Sequence, residues 1–245
     1  MIPLRSLKYI FITFGFCLVL NLKAQESHIL DRLYPADSLK ITYHNAWTLK
    51  EYPRRIQQFK KDPLKPNEIV FLGNSLTQLG RNWSQKFQTT GIRNRGIAGD
   101  VTDGILARLN EINYFKPKAV FLLIGINDLF NLHKKEGIPS AKYVGKNIVN
   151  IAEHIKKESP STIIYVQTLL PTKHEFLKNY IVEVNAILQE NKQHYTFIDL
   201  HSQFVNNTGF IKDELTNDGT HLTPEGYTRW VSFLSPIIKK LKANE

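Results

Sequence analysis

The stretch that most constrains this fold is Ile69-Val70-Phe71-Leu72-Gly73-Asn74-Ser75-Leu76-Thr77. An apolar, partly β-branched run stops abruptly at Gly-Asn-Ser, and a helix-compatible stretch follows. Buried strands of open α/β sheets end this way, at the crevice where such sheets bind ligands. Gly73 permits a sharp turn, and Ser75 then starts the next helix. There its oxygen is exposed beside backbone N–H groups that can face a developing negative charge. Ser75 is a candidate nucleophile if partners exist elsewhere in the chain, and otherwise a turn or capping serine.

The rest of the chain continues the strand–helix alternation. Short strands, apolar on both faces, are predicted at Ile69–Leu72, Ile92–Gly96, Ala119–Ile124, Thr162–Gln167 and Tyr195–Leu200. This is the pattern of a parallel sheet covered on both sides. Helices are expected at about 76–88, 102–113, 141–158 and 174–193. A last one starts near Pro224, with Thr223 as its cap. Right-handed crossovers then give a three-layer α/β sandwich whose ligands bind outside the carboxyl ends of the strands.

Two segments precede this core. Arg5 and Lys8, an apolar run from Tyr9 to Leu20, and small Ala24 follow the order of a secretory signal peptide cut after Ala24. The run is short for a membrane span, and bulky Phe16 before Cys17 makes a poor lipid-attachment site. The domain expectation is therefore a signal peptide at 1–24, a lead-in at 25–66 and the main domain at 67–245. The lead-in should pack on the main domain with one helix near Thr48 to Lys60, ended by Pro63 and Pro66. Cleavage lowers the net charge from +10 to +7, because Arg5, Lys8 and Lys23 leave and no carboxylate does. It also removes the single cysteine, and with it any disulfide, thiol nucleophile or cysteine metal site. Localisation is expected to be periplasmic or extracellular, without stable membrane insertion. The basic residues are scattered pairs such as Arg54-Arg55 and Lys134-Lys135, which read as solvated helix faces and not as a nucleic-acid stripe.

Three further constellations fall at strand ends or in the last loop. Asn94-Arg95-Gly96-Ile97-Ala98-Gly99-Asp100 follows the second strand, and its glycines allow close backbone approach, with the Gly99 N–H a candidate oxyanion donor. Neither a G-x-G-x-x-G nor a Walker lysine pattern accompanies it, so phosphate cradling is disfavoured. Gly125-Ile126-Asn127-Asp128 follows the most apolar strand, where the Asn127 amide can meet a substrate oxygen. Asn217-Asp218-Gly219-Thr220-His221 supplies a base and its orienting carboxylate from one segment. A metal reading of Asp218 and His221 needs further ligands, and His133, His174, His194 and His201 form no recognisable spacing with them, although His201 follows the last strand and could approach the site. Thr77 stands where a G-x-S-x-G elbow needs its second glycine, which argues against a standard α/β-hydrolase.

In this order, Gly-x-Ser, a later Gly, Gly-x-Asn-Asp and a late Asp-x-x-His resemble the SGNH hydrolases, or GDSL-type esterases. The resemblance runs from about Ile69 to the C-terminus. It implies a flavodoxin-like three-layer α/β/α sandwich with a central parallel sheet of about five strands. It also implies Ser75 as nucleophile, His221 as base, Asp218 as its orienter, an oxyanion hole of Ser75, Gly99 and Asn127, and no metal or organic cofactor. Gly96 to Thr102 and Leu169-Leu170-Pro171 look like the platelet-activating-factor acetylhydrolase α-subunit branch. Secreted bacterial sialate and other carbohydrate O-acetylesterases also look similar. Asn74 departs from the family's usual Asp, keeping its size and acceptor oxygen but not its charge. The expected activity is hydrolysis of short-chain esters, O-acetyl groups on carbohydrates foremost, on a small-molecule or glycan substrate. A lysophospholipase or short-chain lipid esterase, with Leu129 and Phe130 lining an acyl pocket, is the nearest alternative. A non-catalytic carbohydrate-binding protein on the same scaffold is the further one. A homodimer is compatible with the sequence, which does not fix the oligomeric state.

Overall fold

A computed structural model describes residues 32–243 of the chain. The expected signal peptide, its cleavage point after Ala24 and the first residues of the lead-in lie outside the described residues. Five parallel strands form the centre: β1 (Ile69–Gly73), β2 (Ile92–Gly96), β3 (Ala119–Leu123), β4 (Ile163–Gln167) and β5 (Thr196–Ile198), in the spatial order β2-β1-β3-β4-β5. The chain leaves β1 for one side to make β2 and returns to the other side to make β3. The crevice between the ends of β1 and β3 is therefore the topological switch point, where open α/β sheets bind ligands.

Strand alternation divides the core into two layers. Val70, Leu72, Val120, Leu122, Ile164 and Val166 face one side. There they meet α7 (Ala141–Glu158) and α8 (Glu175–Glu190) through residues such as Ile148 and Val184. Ile69, Phe71, Ala119 and Phe121 face the other, with the C-terminal helix α10 (Pro224–Ala243). On that face Phe71 stacks on Trp83 at 4.3 Å and on Phe121 at 4.9 Å, and Phe121 stacks on Tyr165 at 4.5 Å. This aromatic row crosses three strands and seats Trp230 of α10, whose Nε1–H donates to Gln167 Oε1 at 2.8 Å.

Four element expectations need correction. The helix expected at 76–88 is two short ones, α2 (Ser75–Leu79) and α3 (Trp83–Lys86). Arg81 takes a left-handed φ of 55°, and Asn82 starts the second helix by accepting from the Gln85 N–H. The helix expected at 102–113 likewise splits into α4 (Thr102–Leu106) and α5 (Asn110–Phe115). The stretch after β3 is a helix, α6 (Ile126–His133), whose start Gly125 makes possible with a φ of 125°. The predicted fifth strand is only three residues long; α9 (His201–Phe204) begins soon after.

The lead-in does carry the expected helix, α1 (Thr48–Lys61). It buries Tyr52, Ile56 and Phe59 against Leu33, Tyr34 and Ile97. Polar ties fix it as well: Tyr34 donates to Glu111 at 2.7 Å and Tyr52 to the Gly104 carbonyl at 2.8 Å. Glu111 also pairs with Arg95 at 2.7 Å, so the buried carboxylate is neutralised where it lies.

Candidate active site

β1, β2 and β3 end level with one another, Gly73 opposite both Gly96 and Leu123. A side chain at Gly73 would strike the Leu123 carbonyl and Thr77, so the strand can turn here only with glycine. Asn74 then caps α2, its Oδ1 accepting the Leu76 N–H at 3.0 Å. The acceptor function expected of Asn74 is thus in use, while its Nδ2 is buried with no partner among the described residues. Ser75 follows as the first residue of α2, only 7% exposed. Tyr227 of α10 anchors this turn by donating to the Leu76 carbonyl at 2.8 Å.

His221 arrives from the loop before α10. Thr216 Oγ1 donates to the His221 carbonyl at 2.9 Å and accepts the Gly219 N–H at 2.9 Å, which closes the loop on itself. Gly219 takes a φ of 90° to make that turn. Asp218 Oδ1 accepts the Thr220 and His221 N–H groups at 2.9 and 2.7 Å, and Oδ2 lies 2.7 Å from His221 Nδ1. On the far side of the ring, Nε2 lies 3.1 Å from Ser75 Oγ. Partial burial pulls the Asp218 carboxyl upward, but the hydrogen bonds from the His221 ring and from the two amides outweigh it and hold it down at about 2. An ionised carboxylate only accepts, so the proton of a neutral His221 sits on Nδ1. Nε2 then offers its lone pair to the serine hydroxyl.

Gly99 lies in the loop after β2 with a φ of 78°. A side chain there would collide with Thr48 of α1, so the position requires glycine twice over, for conformation and for space. Asn127, in the first turn of α6, donates from Nδ2 to the Asp100 carbonyl at 2.9 Å, which places its amide against the same loop. Among the described residues, neither the Gly99 nor the Ser75 N–H donates to a protein acceptor. Buried charges brace the loop from beneath. Asp100 accepts from His44 at 3.0 Å and Arg108 at 3.1 Å, and Arg108 also donates to the Gly73 and Arg95 carbonyls at 3.1 and 2.9 Å. Asp128 receives the Thr102 N–H and hydroxyl, at 3.1 and 2.6 Å. Complete burial, only partly offset by those bonds, pushes its carboxyl up to about 7.

The five predicted site residues therefore converge on the switch point. His201 does not join them; it lines a groove with Thr168, Asn185 and Asp199. His174 is the histidine that touches the loop, with Nε2 3.1 Å from Thr220 Oγ1. Leu129 is fully buried core, and Phe130 packs edge-on against His174 at 5.2 Å. A small apolar cavity of about 10 Å³ lies instead among Asn74, Leu76, Ile126, Leu170 and Thr220. It has room for about one water. Sequence reasoning passed over Gln78, Thr48 and Glu51. The position of Gln78, one helical turn after Ser75, was a legible signal. Nothing local marks Thr48 or Glu51, whose partners are remote in sequence.

The family model of the GDSL-like lipase/acylhydrolases matches residues 71–229, which hold all five predicted site residues. The chain is 30% identical over 191 residues to platelet-activating factor acetylhydrolase IB subunit alpha1 of Rattus norvegicus, covering 74% of this chain and 79% of that one. It is 25% identical to the N-acylneuraminate cytidylyltransferase of Escherichia coli, over 76% of this chain and 43% of that protein. A solved structure from Streptococcus pneumonia, named for platelet activating factor, superposes with a TM-score of 0.66 at 26% identity, covering 78% of this chain and 94% of that one. The chain belongs to the GDSL-like lipase/acylhydrolase family, the SGNH hydrolases, and is a carboxylic ester hydrolase.

Proposed function

We propose that this esterase removes short acyl groups, O-acetyl foremost, from carbohydrates, through a Ser75-His221-Asp218 triad and an acyl-enzyme. The observation that carries the reading is the unbroken chain from Asp218 Oδ2 through the His221 ring to Ser75 Oγ, at 2.7 and 3.1 Å. His221 Nε2 takes the hydroxyl proton as Ser75 Oγ attacks the acyl carbonyl. The oxyanion is received by the Ser75 and Gly99 N–H groups and the Asn127 amide. The tetrahedral intermediate then expels the alcohol, which leaves with the proton from His221, and the acyl group stays on Ser75. Water, losing its proton to the same nitrogen, attacks that ester and frees the acid. Asn127 serves twice here, holding the Asp100 carbonyl with one amide hydrogen and offering the other to the oxyanion. Asn127→Ala is expected to lower kcat by about a hundred- to a thousand-fold, read from steady-state kinetics on an activated ester.

The small acyl group is supported by an acetylhydrolase among the relatives. A relative named for a sialic-acid substrate supports the sugar. We place the mature enzyme outside the cytoplasm, after cleavage at Ala24, from the order of charges and apolar residues in the leader. The test is hydrolysis of p-nitrophenyl acetate, butyrate and octanoate, followed by acetate release from O-acetylated saccharides. The reading expects activity to fall steeply beyond butyrate and acetate to be released from sugars. Preference for octanoate would overturn it in favour of a lipid esterase.

A further inference from the structure

Gln78 and Glu51 form a short relay that ends on the proposed oxyanion loop. Gln78 Oε1 accepts the Ala98 N–H at 2.5 Å, and Gln78 Nε2 donates to Glu51 Oε1 at 3.1 Å. A primary amide can sit either way round, and both partners here demand the same orientation. Ala98 offers only a donor and Glu51 only acceptors. Glu51 is itself held, accepting two hydrogen bonds from Arg54 at 2.6 and 2.7 Å. It is 8% exposed, and although burial raises its carboxyl, the bonds from Arg54 first and Gln78 next lower it further, keeping it ionised. One residue beyond Ala98, the Thr48 side chain closes the space above Gly99. Thr48 and Glu51 belong to α1, so the lead-in bears on the loop directly at Gly99 and, through Gln78, at Ala98.

We infer that Gln78, oriented by Glu51, is a positioning residue for the oxyanion loop, and that α1 of the lead-in is part of the catalytic apparatus. The inference rests on the proposed role of Gly99. The Ala98 N–H and the Gly99 N–H belong to consecutive peptides, so anchoring the first limits the rotation of the second. An oxyanion donor must keep its direction before charge develops, since preorganisation is where its catalytic value lies. The arrangement matters in the transition state and little in ground-state binding, so its loss should appear in kcat and not in KM.

The test compares the full-length protein with Gln78→Ala, Gln78→Glu and the exchange Glu51→Gln/Gln78→Glu. Gln78→Ala should cost about a hundred-fold in kcat on p-nitrophenyl acetate with KM within about twofold, as displacements of catalytic groups do. Gln78→Glu sets two carboxylates together and should cost at least as much. The exchange restores the two bonds of the relay, because the amide moved to position 51 donates and the carboxylate moved to position 78 still accepts from Ala98, but it gives up the Arg54 Nη2 bond that shares Glu51 Oε1 with Gln78. It should therefore recover part of the kcat lost in Gln78→Glu. Amide hydrogen exchange at Ala98, read by NMR, follows the same contact without using turnover: protected in the wild type, fast in Gln78→Ala, protected again in the exchange. No loss of kcat in Gln78→Ala, a loss confined to KM, or an exchange variant no better than Gln78→Glu overturns the inference. A wild type silent on every ester would instead remove the catalytic reading, and fast exchange at its Ala98 would remove the relay by itself.

Discussion

Ser75→Ala is expected to reduce kcat for ester hydrolysis by about a million-fold, the loss seen when a triad nucleophile is removed from a serine hydrolase. The fold should not notice. Ser75 Oγ has His221 Nε2 as its recorded partner, 3.1 Å away, and the turn is held by Asn74 Oδ1, Tyr227 and the glycine fit at Gly73. Alanine is also the best helix former, and the position opens α2. The thermal midpoint should therefore stay within about 2 °C, as for substitutions that break no buried network. Kinetics with p-nitrophenyl acetate and a parallel thermal melt check both halves. A variant within tenfold of wild type would contradict the assignment.

His221→Ala should lose about as much in kcat, because nucleophile and base act as one unit and removing either disables both. The loop should survive, since what holds it is largely backbone. The His221 N–H still reaches Asp218, and its carbonyl still accepts from Thr216 and Asn217. The Asp218 carboxylate loses its bond to the ring but stays solvated, its side chain being 55% exposed. In the wild type Asp218 is ionised at all pH values well above 2, so a fall of kcat/KM between pH 7 and pH 4 reports a group other than Asp218. A His221→Ala enzyme that keeps its rate would overturn the role given to the ring.

The fold and the placement of the candidate site were legible in the sequence because both are written locally. The ends of β1 and β3 are each marked by an apolar run meeting Gly, and the candidate groups follow a strand end or lie in one loop. Asp218 and His221, three residues apart, meet within their own segment. What could not be read depends on distance. The break between α2 and α3 is the exception, a local one that Gly80-Arg81-Asn82 already marks: Gly80 ends α2, Arg81 turns left-handed and Asn82 caps α3. The braces under the oxyanion loop join residues far apart in sequence: His44 and Arg108 on Asp100, Thr102 on Asp128. Gln78 lies one helical turn after Ser75, which is a local sign, but the partners that give its amide a task, Glu51 and Ala98, are 27 and 20 residues away. The lead-in, read from sequence as packing, carries Thr48 to within contact of the Gly99 position.

The central claim is that the acyl group is transferred to Ser75. The most direct measurement is reaction of the protein with an alkyl fluorophosphonate, followed by peptide mass spectrometry and residual ester turnover on the same samples. The account predicts one adduct per chain, on Ser75, with turnover lost in proportion to labelling and no adduct in Ser75→Ala. Full turnover with Ser75 labelled, or inactivation with the label on another residue, would contradict it.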